Sequence, residues 1–299
     1  MLKLLVCSDY EFALHMLIML TFCRNRRTDH MLTRAITAEE IKTYDRDGIV
    51  CLRGLFNTDT VEMLREAAEQ CMTAEPTDLT MEIAQIREQK GRFFFDTFTW
   101  LRNNLCGKFV HESPAAEIAA RIMDSSKSNI FFDQWLIKEP DTPVETPWHH
   151  DQPYWPVLGF QVCTLWLALD PVTTDSGAVE YIKGSHRWGQ RLKPESFSGH
   201  TKFTEDLPPV PDIEAEREKH DIVQYQLQPG DCTIHHALLV HHAPGNIRND
   251  RRRRAYVTRW AGDDAVFHPH DGVQKMPPFP DIPAGGPLDS DLWPVVWRK

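Results

Sequence analysis

The residues best placed to do chemistry sit in Pro147-Trp-His-His-Asp-Gln-Pro-Tyr-Trp155. On an extended segment, side chains two apart share a face. His149 and Asp151 therefore point one way and His150 the other. An imidazole beside a carboxylate makes two arms of a metal site, and a third arm must come from elsewhere. The block Gly230-Asp-Cys-Thr-Ile-His-His-Ala-Leu-Leu-Val-His-His-Ala-Pro-Gly-Asn246 offers four candidates: His235, His236, His241 and His242. Two histidines and one carboxylate on one face of a metal leave three positions open, the ligand set of non-haem iron(II) oxygenases. A structural zinc would be closed by four ligands. A hard carboxylate with borderline imidazoles suits iron better than a thiolate-seeking metal.

A lone His-x-Asp is common. The combination with a distal histidine and a downstream arginine is more specific. That arginine lies in Asp250-Arg-Arg-Arg-Arg-Ala-Tyr-Val-Thr-Arg-Trp260. Arg251 and Arg252 read as a solvated basic turn. From Arg253 the chain alternates, with Arg253, Ala255 and Val257 on one face and Arg254, Tyr256 and Thr258 on the other. Arg253 thus shares a face with small apolar neighbours. A buried arginine needs an anionic partner, and a dicarboxylate co-substrate supplies one through two-pronged pairing.

These residues need a scaffold. Thr37-Ala-Glu-Glu40 is a capping box that starts a helix running to about Asp47, with Gly48 as its stop. A strand follows at 49–52. Asp59 with Glu62 repeats the cap pattern, and Val61, Leu64, Ala68 and Cys71 fall on one helical face. From residue 130 onward, short apolar strands alternate with Pro, Gly and Asp turns: 130–137, 161–169, 178–182, 222–226, 231–235 and 253–260. Many short strands at this spacing predict a mainly β sandwich or jelly roll with flanking helices. Residues 190–220 read as a polar surface insert. The Pro-, Gly- and Asp-rich tail from Phe267 reads as irregular coat.

The chain has 299 residues, 41% hydrophobic and 25% charged, with a net charge of -10. That is a globular composition, and the negative balance argues against general nucleic-acid binding. Seven scattered cysteines without a CxxC pair point to a reducing, cytoplasmic setting rather than a disulfide framework. The apolar run at 13–23 is too short to span a bilayer, and its basic cluster follows it rather than leading it. Residues 1–30 read as an N-terminal extension or a misassigned start, and residues 31–299 as a single domain. No membrane partner is expected.

The sequence resembles the phytanoyl-CoA dioxygenase family of iron(II)/2-oxoglutarate oxygenases. The resemblance runs in order through Asp47-Gly-Ile-Val-Cys-Leu-Arg-Gly-Leu-Phe56, Lys138-Glu-Pro140, the 147–155 block, Trp166-Leu-Ala-Leu-Asp170, Ser176-Gly-Ala-Val-Glu-Tyr-Ile-Lys-Gly-Ser-His186, the 230–246 block and Arg253-Arg-Ala255. It implies a double-stranded β-helix, a jelly-roll barrel with the metal in its mouth. The family's distal ligand is a histidine followed five residues later by asparagine, which selects His241 with Asn246. The resemblance thus implies His149, Asp151 and His241 for Fe(II), Arg253 for the far carboxylate of 2-oxoglutarate, and Gln134 and Trp166 as further co-substrate contacts. His150, His235, His236 and His242 are left as supporting residues, and His186 as part of a turn. Where the family usually has Gly-Ser or Ser-Ala after the distal histidine, this chain has His242-Ala243, so a hydroxyl contact is missing.

The activity so implied is O2-dependent hydroxylation of an unactivated C–H bond of a small organic molecule, with release of succinate and CO2. Asp151 favours hydroxylation, desaturation or ring formation over halogenation, since related halogenases carry a small residue there. Phe93-Phe-Phe95, Trp100, Tyr154 and Trp155 fit either a substrate wall or the core. Two rival readings use the same residues: a non-catalytic jelly-roll binding protein and a zinc-dependent hydrolase.

Overall fold

The computed structural model describes residues 31–194 and 205–299, and residues 31–299 form one compact unit. The reading of residues 1–30 lies outside the described residues. At Thr37 the side chain accepts from the Glu40 amide while the Glu40 carboxylate reaches back to the Thr37 amide, the reciprocal cap expected from the sequence. Helix α1 (Ala38–Asp47) ends at Gly48, whose φ of 74° is left-handed and returns its N–H to the Tyr44 carbonyl. Strand β1 (Ile49–Leu52) follows. Helix α2 (Thr58–Thr73) is capped by Asn57 and not by Asp59. The Asn57 side chain accepts from the Thr60 amide at 2.9 Å, whereas Asp59 already lies inside the first turn and cannot cap it.

Strand β2 (Thr80–Glu82), the single-turn helix α3 (Ile83–Ile86), strand β3 (Phe93–Thr97) and helices α4 (Asn104–Glu112) and α5 (Ala115–Ile122) complete the front third. The remaining strands are β4 (Lys127–Lys138), β5 (Thr146–His149), β6 (Val157–Leu158), β7 (Val162–Ala168), β8 (Glu180–Ile182), β9 (Ile222–Gln224), β10 (Cys232–His236), β11 (His241–Ala243), β12 (Arg253–Ala261), β13 (Val266–Phe267) and β14 (Val295–Arg298). All six strands expected after residue 130 form, with ends shifted by a few residues.

An eight-stranded sheet runs β1-β10-β7-β12-β4-β3-β2, with β14 also paired to β4. A four-stranded sheet runs β5-β11-β8-β9, and β13 pairs with β6. Every pairing is antiparallel. Trp166, Ala168, Ala255 and Val257 of the large sheet share one apolar cluster with Tyr181 and Ala243 of the small one. The two sheets therefore face each other as a jelly roll of the double-stranded β-helix type. The helices cover the other face of the large sheet. There Tyr256, Trp260 and Trp135 pack with Leu64, Phe109 and Ile118.

Two expectations fail in part. The tail is not only coat: β14 pairs with β4, and Trp293 is fully buried with its ring 5.3 Å from that of Phe131 and 5.7 Å from that of Phe267. A few aromatic anchors suffice to bury a chain whose prolines and glycines exclude long elements. The insert at 190–220 also sends Leu192 and Ile213 into a cluster with Trp148, Ile182 and Val240.

Candidate active site

Cross-strand register lays out the inner face of the large sheet in rows, because residues two apart share a face. At one end Lys138 lies beside Arg253. The next row is Leu136, Ala255 and Ala168, then Gln134, Val257 and Trp166, then Phe132, Arg259 and Thr164, with His235 of β10 beside Thr164. The small sheet faces these rows with His149 of β5 paired directly to His241 of β11. A cavity of about 310 Å³ opens between the two sheets.

His149, Asp151 and His241 converge there, all buried, with one ligand atom from each within 4.8 Å of the others. Strand β5 ends at His149, however, and Asp151 adopts a helical backbone (φ −72°, ψ −42°) as the cap of a short 3-10 turn. The expected extended His-x-Asp geometry is therefore wrong in its backbone, although the two side chains do meet. The turn carries Asp151 toward Thr164, whose hydroxyl donates to Asp151 Oδ2 at 3.0 Å. The other oxygen, Oδ1, faces His149 Nε2 at 3.6 Å and His241 Nε2 at 3.8 Å. Ligand atoms that far apart can share one ion at bonds of roughly 2.0–2.2 Å.

Backbone carbonyls fix the imidazoles. His149 Nδ1 lies 2.8 Å from the Pro147 carbonyl and His241 Nδ1 2.9 Å from that of Leu239. A carbonyl can only accept, so each Nδ1 carries the proton and each Nε2 presents its lone pair to the centre. Burial, with His149 and His235 close by, holds the His241 pKa well below the usual imidazole value. Burial alone would raise that of Asp151, but the imidazoles of His149 and His235, and then Arg259, hold it well below the carboxylate range. The donor set is a neutral imidazole opposite an ionised carboxylate, the protonation state a divalent metal requires. The residues fit the ion.

The other histidines separate. His150 turns away, its Nε2 accepting from the Leu192 amide at 2.7 Å, and burial takes its pKa down to about 4. His242 also faces away, toward Glu180 at 3.1 Å. His236 lies against Phe160 and His186. His235 supports the centre directly: it lines the cavity and its Nε2 is 3.5 Å from Asp151 Oδ2.

Arg253 is 1% exposed, lines the cavity and lies over the Trp166 ring at 5.5 Å. Its Nε has no hydrogen-bond partner among the described residues, and burial pulls its pKa down to about 10. Gly177 makes the room: its φ is +87°, and a Cβ there would sit 2.7 Å from the Pro244 carbonyl and 3.4 Å from Arg253 Nη2. Asn246 ties down the loop that leads to Arg253, its side-chain amide donating to the carbonyls of Lys138, Glu139 and Arg251. Gln134 and Trp166 also line the cavity. The aromatic run divides by alternation: Phe93 and Phe95 face the cavity while Phe94 packs in the core under the helices. Tyr154 and Trp155 line the cavity, and Trp100 packs on the helical side.

Sequence reasoning missed Arg259 and the segment around Gln274, both of which line the cavity. Carrying the alternation of 253, 255 and 257 one step further would have found Arg259. Nothing in the sequence signalled Gln274, whose backbone N–H reaches the Tyr154 carbonyl at 2.9 Å.

Residues 44–255 match the phytanoyl-CoA dioxygenase (PhyH) family. The chain belongs to this family. It is 24% identical over 255 residues to the ectoine dioxygenase of Sphingopyxis alaskensis, covering 82% of each protein. To the phytanoyl-CoA dioxygenase domain-containing protein 1 of Bos taurus it is 22% identical over 292 residues, covering 83% of this chain and 98% of that one. Among solved structures it resembles the non-heme alpha ketoglutarate dependent carbocyclase SnoK from nogalamycin biosynthesis, with a TM-score of 0.69 at 22% identity over 89% of this chain and 98% of the other. It also resembles EctD from S. alaskensis with 2-oxoglutarate and 5-hydroxyectoine, with a TM-score of 0.68 at 20% identity over 84% and 85%. At such identities the structural likeness bears on the fold, and PhyH membership rests on the 44–255 match.

Proposed function

We propose that this PhyH protein is an Fe(II)- and 2-oxoglutarate-dependent dioxygenase that hydroxylates a C–H bond of a small organic molecule. His149, Asp151 and His241 hold the iron, and Arg253 receives the far carboxylate of 2-oxoglutarate. The observation that carries the reading is one cavity holding both an ion-ready His-Asp-His cluster and a buried arginine whose Nε lacks a partner among the described residues. Bound there with O2, iron and 2-oxoglutarate supply the oxidative chemistry, with release of succinate and CO2.

The chain's own contribution is placement. Thr164 orients Asp151 so that Oδ1 meets both imidazoles. Trp166 and Gln134 form the floor between the metal end and Arg253, and Trp166 holds the guanidinium by its ring face. Phe93, Phe95, Leu136, Tyr154 and Trp155 make an apolar wall that excludes water and offers contact to an apolar substrate body. An intact Asp151 supports oxygen insertion or a related oxidation over halogenation. Arg251 and Arg252, the basic residues that could have met a CoA phosphate, are engaged by Asp250, Glu69 and Glu139. A small free substrate fits the cavity better. We read the setting as reducing and cytoplasmic from the scattered cysteines of the sequence; the five described cysteines are free thiols. Among the described residues no helix is long and apolar enough to cross a membrane.

Anaerobic titration with Fe(II) and then 2-oxoglutarate tests the reading. A weak visible charge-transfer band is expected, followed by succinate release on admitting O2. A flat spectrum would favour a binding protein, and O2-independent turnover without succinate would favour a zinc hydrolase.

A further inference from the structure

Arg259 has no role in the scheme above, yet it is the second arginine buried in the cavity wall. It shares the inner face of β12 with Arg253, six residues along the strand and so roughly 20 Å away at its Cα. Arg259 lies in the row of Thr164, which holds Asp151, and so at the metal end of the cavity. Its guanidinium sits 4.5 Å from the Phe132 ring centroid and 5.2 Å from that of Trp155. Nη2 donates to Gln134 Oε1. Nε is 3.9 Å from Asp151 Oδ2, too far for a hydrogen bond, and neither Nε nor Nη1 has a hydrogen-bond partner among the described residues. The side chain is 8% exposed. A charged group so buried and so incompletely paired is costly unless a ligand completes it.

The charges in the cavity say which ligand. A ferrous ion and dianionic 2-oxoglutarate cancel. Asp151 then balances one of the two arginines, and one positive charge remains, since Lys138 beside Arg253 is taken up by the carbonyls of Ala243 and Pro244 and burial holds its pKa well below the usual lysine value. The other acids lining the cavity, Glu145 and Asp78, have side chains 63% and 89% exposed at its rim, and Asp78 already pairs with Lys275 at 3.0 Å. Asp133 lies next to Gln134 in sequence but on the opposite face of β4, bonded to Thr99, Trp100 and Tyr256. Gln274 adds a second donor on the cavity wall, since its buried side-chain nitrogen also lacks a partner among the described residues.

We propose that Arg259 is a substrate-binding residue, and that the primary substrate is a small carboxylic acid whose carboxylate meets Arg259 while its apolar body lies on the aromatic wall. The proposal rests on the dioxygenase reading, because 2-oxoglutarate must occupy Arg253 for Arg259 to be left to the substrate. Gln134 then serves to aim the guanidinium, and the Phe132 and Trp155 rings hold it without neutralising it.

The test compares 3-phenylpropanoate with its neutral isostere 3-phenylpropanamide. Binding is measured by calorimetry on protein saturated with manganese(II) and 2-oxoglutarate, which does not turn over. The wild type is expected to bind the acid at least about tenfold more tightly than the amide, one charge-assisted contact's worth. Arg259→Met should bring the ratio to about one while changing 2-oxoglutarate affinity less than about twofold. Arg253→Met should do the reverse. A wild type that does not discriminate, or an Arg259→Met variant that keeps the preference, overturns the assignment. So does an Arg259→Met variant that loses 2-oxoglutarate as severely as Arg253→Met, which would make Arg259 a co-substrate residue. If Arg259→Met does not fold, Arg259→Gln carries the same expectations. Should 2-oxoglutarate fail to bind the wild type at all, the dioxygenase reading falls instead. The two variants compared on metal-free protein then decide the role of Arg259 by themselves.

Discussion

The two faces of strand β12 treat their arginines in opposite ways. On the face under the helices, the arginine is closed by protein. Arg254 meets Asp170 through Nε at 2.9 Å and Nη2 at 2.8 Å. On the face toward the small sheet, Arg253 and Arg259 are more deeply buried than Arg254, yet Arg253 keeps its Nε, and Arg259 its Nε and Nη1, without a partner among the described residues. Adjacent residues on one strand thus differ in what completes them. On our reading the arginine that the protein satisfies holds the fold, and the two it leaves open receive ligands.

The strongest way to break that distinction is at the metal. His241→Ala removes one of three convergent donors while leaving the Asn246 tether of the arginine loop in place. Loss of a residue that only supports a ligand costs roughly 10- to 100-fold in metal affinity, so loss of the ligand itself should cost more than about 100-fold. Fe(II) titration by calorimetry should show it, with the thermal midpoint of the metal-free protein little changed. Iron binding and succinate release at wild-type levels would show that another histidine, His235 first, is the third arm.

Arg253→Ala comes next. On the proposed reading it removes a charge-assisted, two-pronged contact worth about 3 kcal/mol, and so should raise the 2-oxoglutarate requirement by roughly 100-fold. The effect should fall on KM for 2-oxoglutarate more than on kcat at saturation. An unchanged KM would mean that the open arginine at this end of the cavity is not the co-substrate's anchor.

The same contrast explains what was legible in the sequence. Alternation along 253–260 placed Arg253, Ala255 and Val257 on the cavity face and Tyr256 on the other, because a strand's period of two is enforced by two different environments. The ligand set could be read only through the family pattern, since four histidines compete and spacing alone does not choose among them. The short turn that carries Asp151 escaped because a local pattern of three residues fits either an extended or a turned backbone. The helices at 104–122 and strand β14 were missed for a different reason: their apolar faces are short, and tertiary burial rather than local propensity decides them. Gln274 and Trp293 sit in a segment whose Pro and Gly content says where elements cannot be, not where single side chains go.

Asp133 tests the helix-covered face by pH. Burial raises its pKa to about 6 despite the hydrogen bonds from Thr99, Tyr256 and the Trp100 amide, against 3.8 for an exposed carboxyl. The fold therefore favours the protonated form. This group's stability contribution is full below about pH 4 and is lost as pH rises through about 6, a difference on the order of 3 kcal/mol. All three donors converge on Oδ2, and Oδ1 has no partner among the described residues. Asp133→Asn can keep its amide oxygen under those donors. Its denaturant midpoint relative to wild type should improve steadily between pH 4 and pH 7, and 2-oxoglutarate KM should not move. A constant offset across that range would mean that Asp133 does not titrate there.

The smallest effect, and the sharpest contrast with Arg253, is expected one residue away. Arg254 has its backbone N–H and its guanidinium on Asp170, with a further contact to Glu69. Arg254→Ala should destabilise the protein by about 2 kcal/mol, since it leaves the largely buried Asp170 carboxylate with fewer donors. For a chain of this length that is a fall of roughly 5 °C in Tm. Because the side chain lies on the helix-covered face, the 2-oxoglutarate KM should stay within about twofold of wild type. If KM rises as it does in Arg253→Ala while Tm holds, the guanidinium that serves the co-substrate is Arg254, and the division of labour between the two faces of β12 is wrong at its most exposed point.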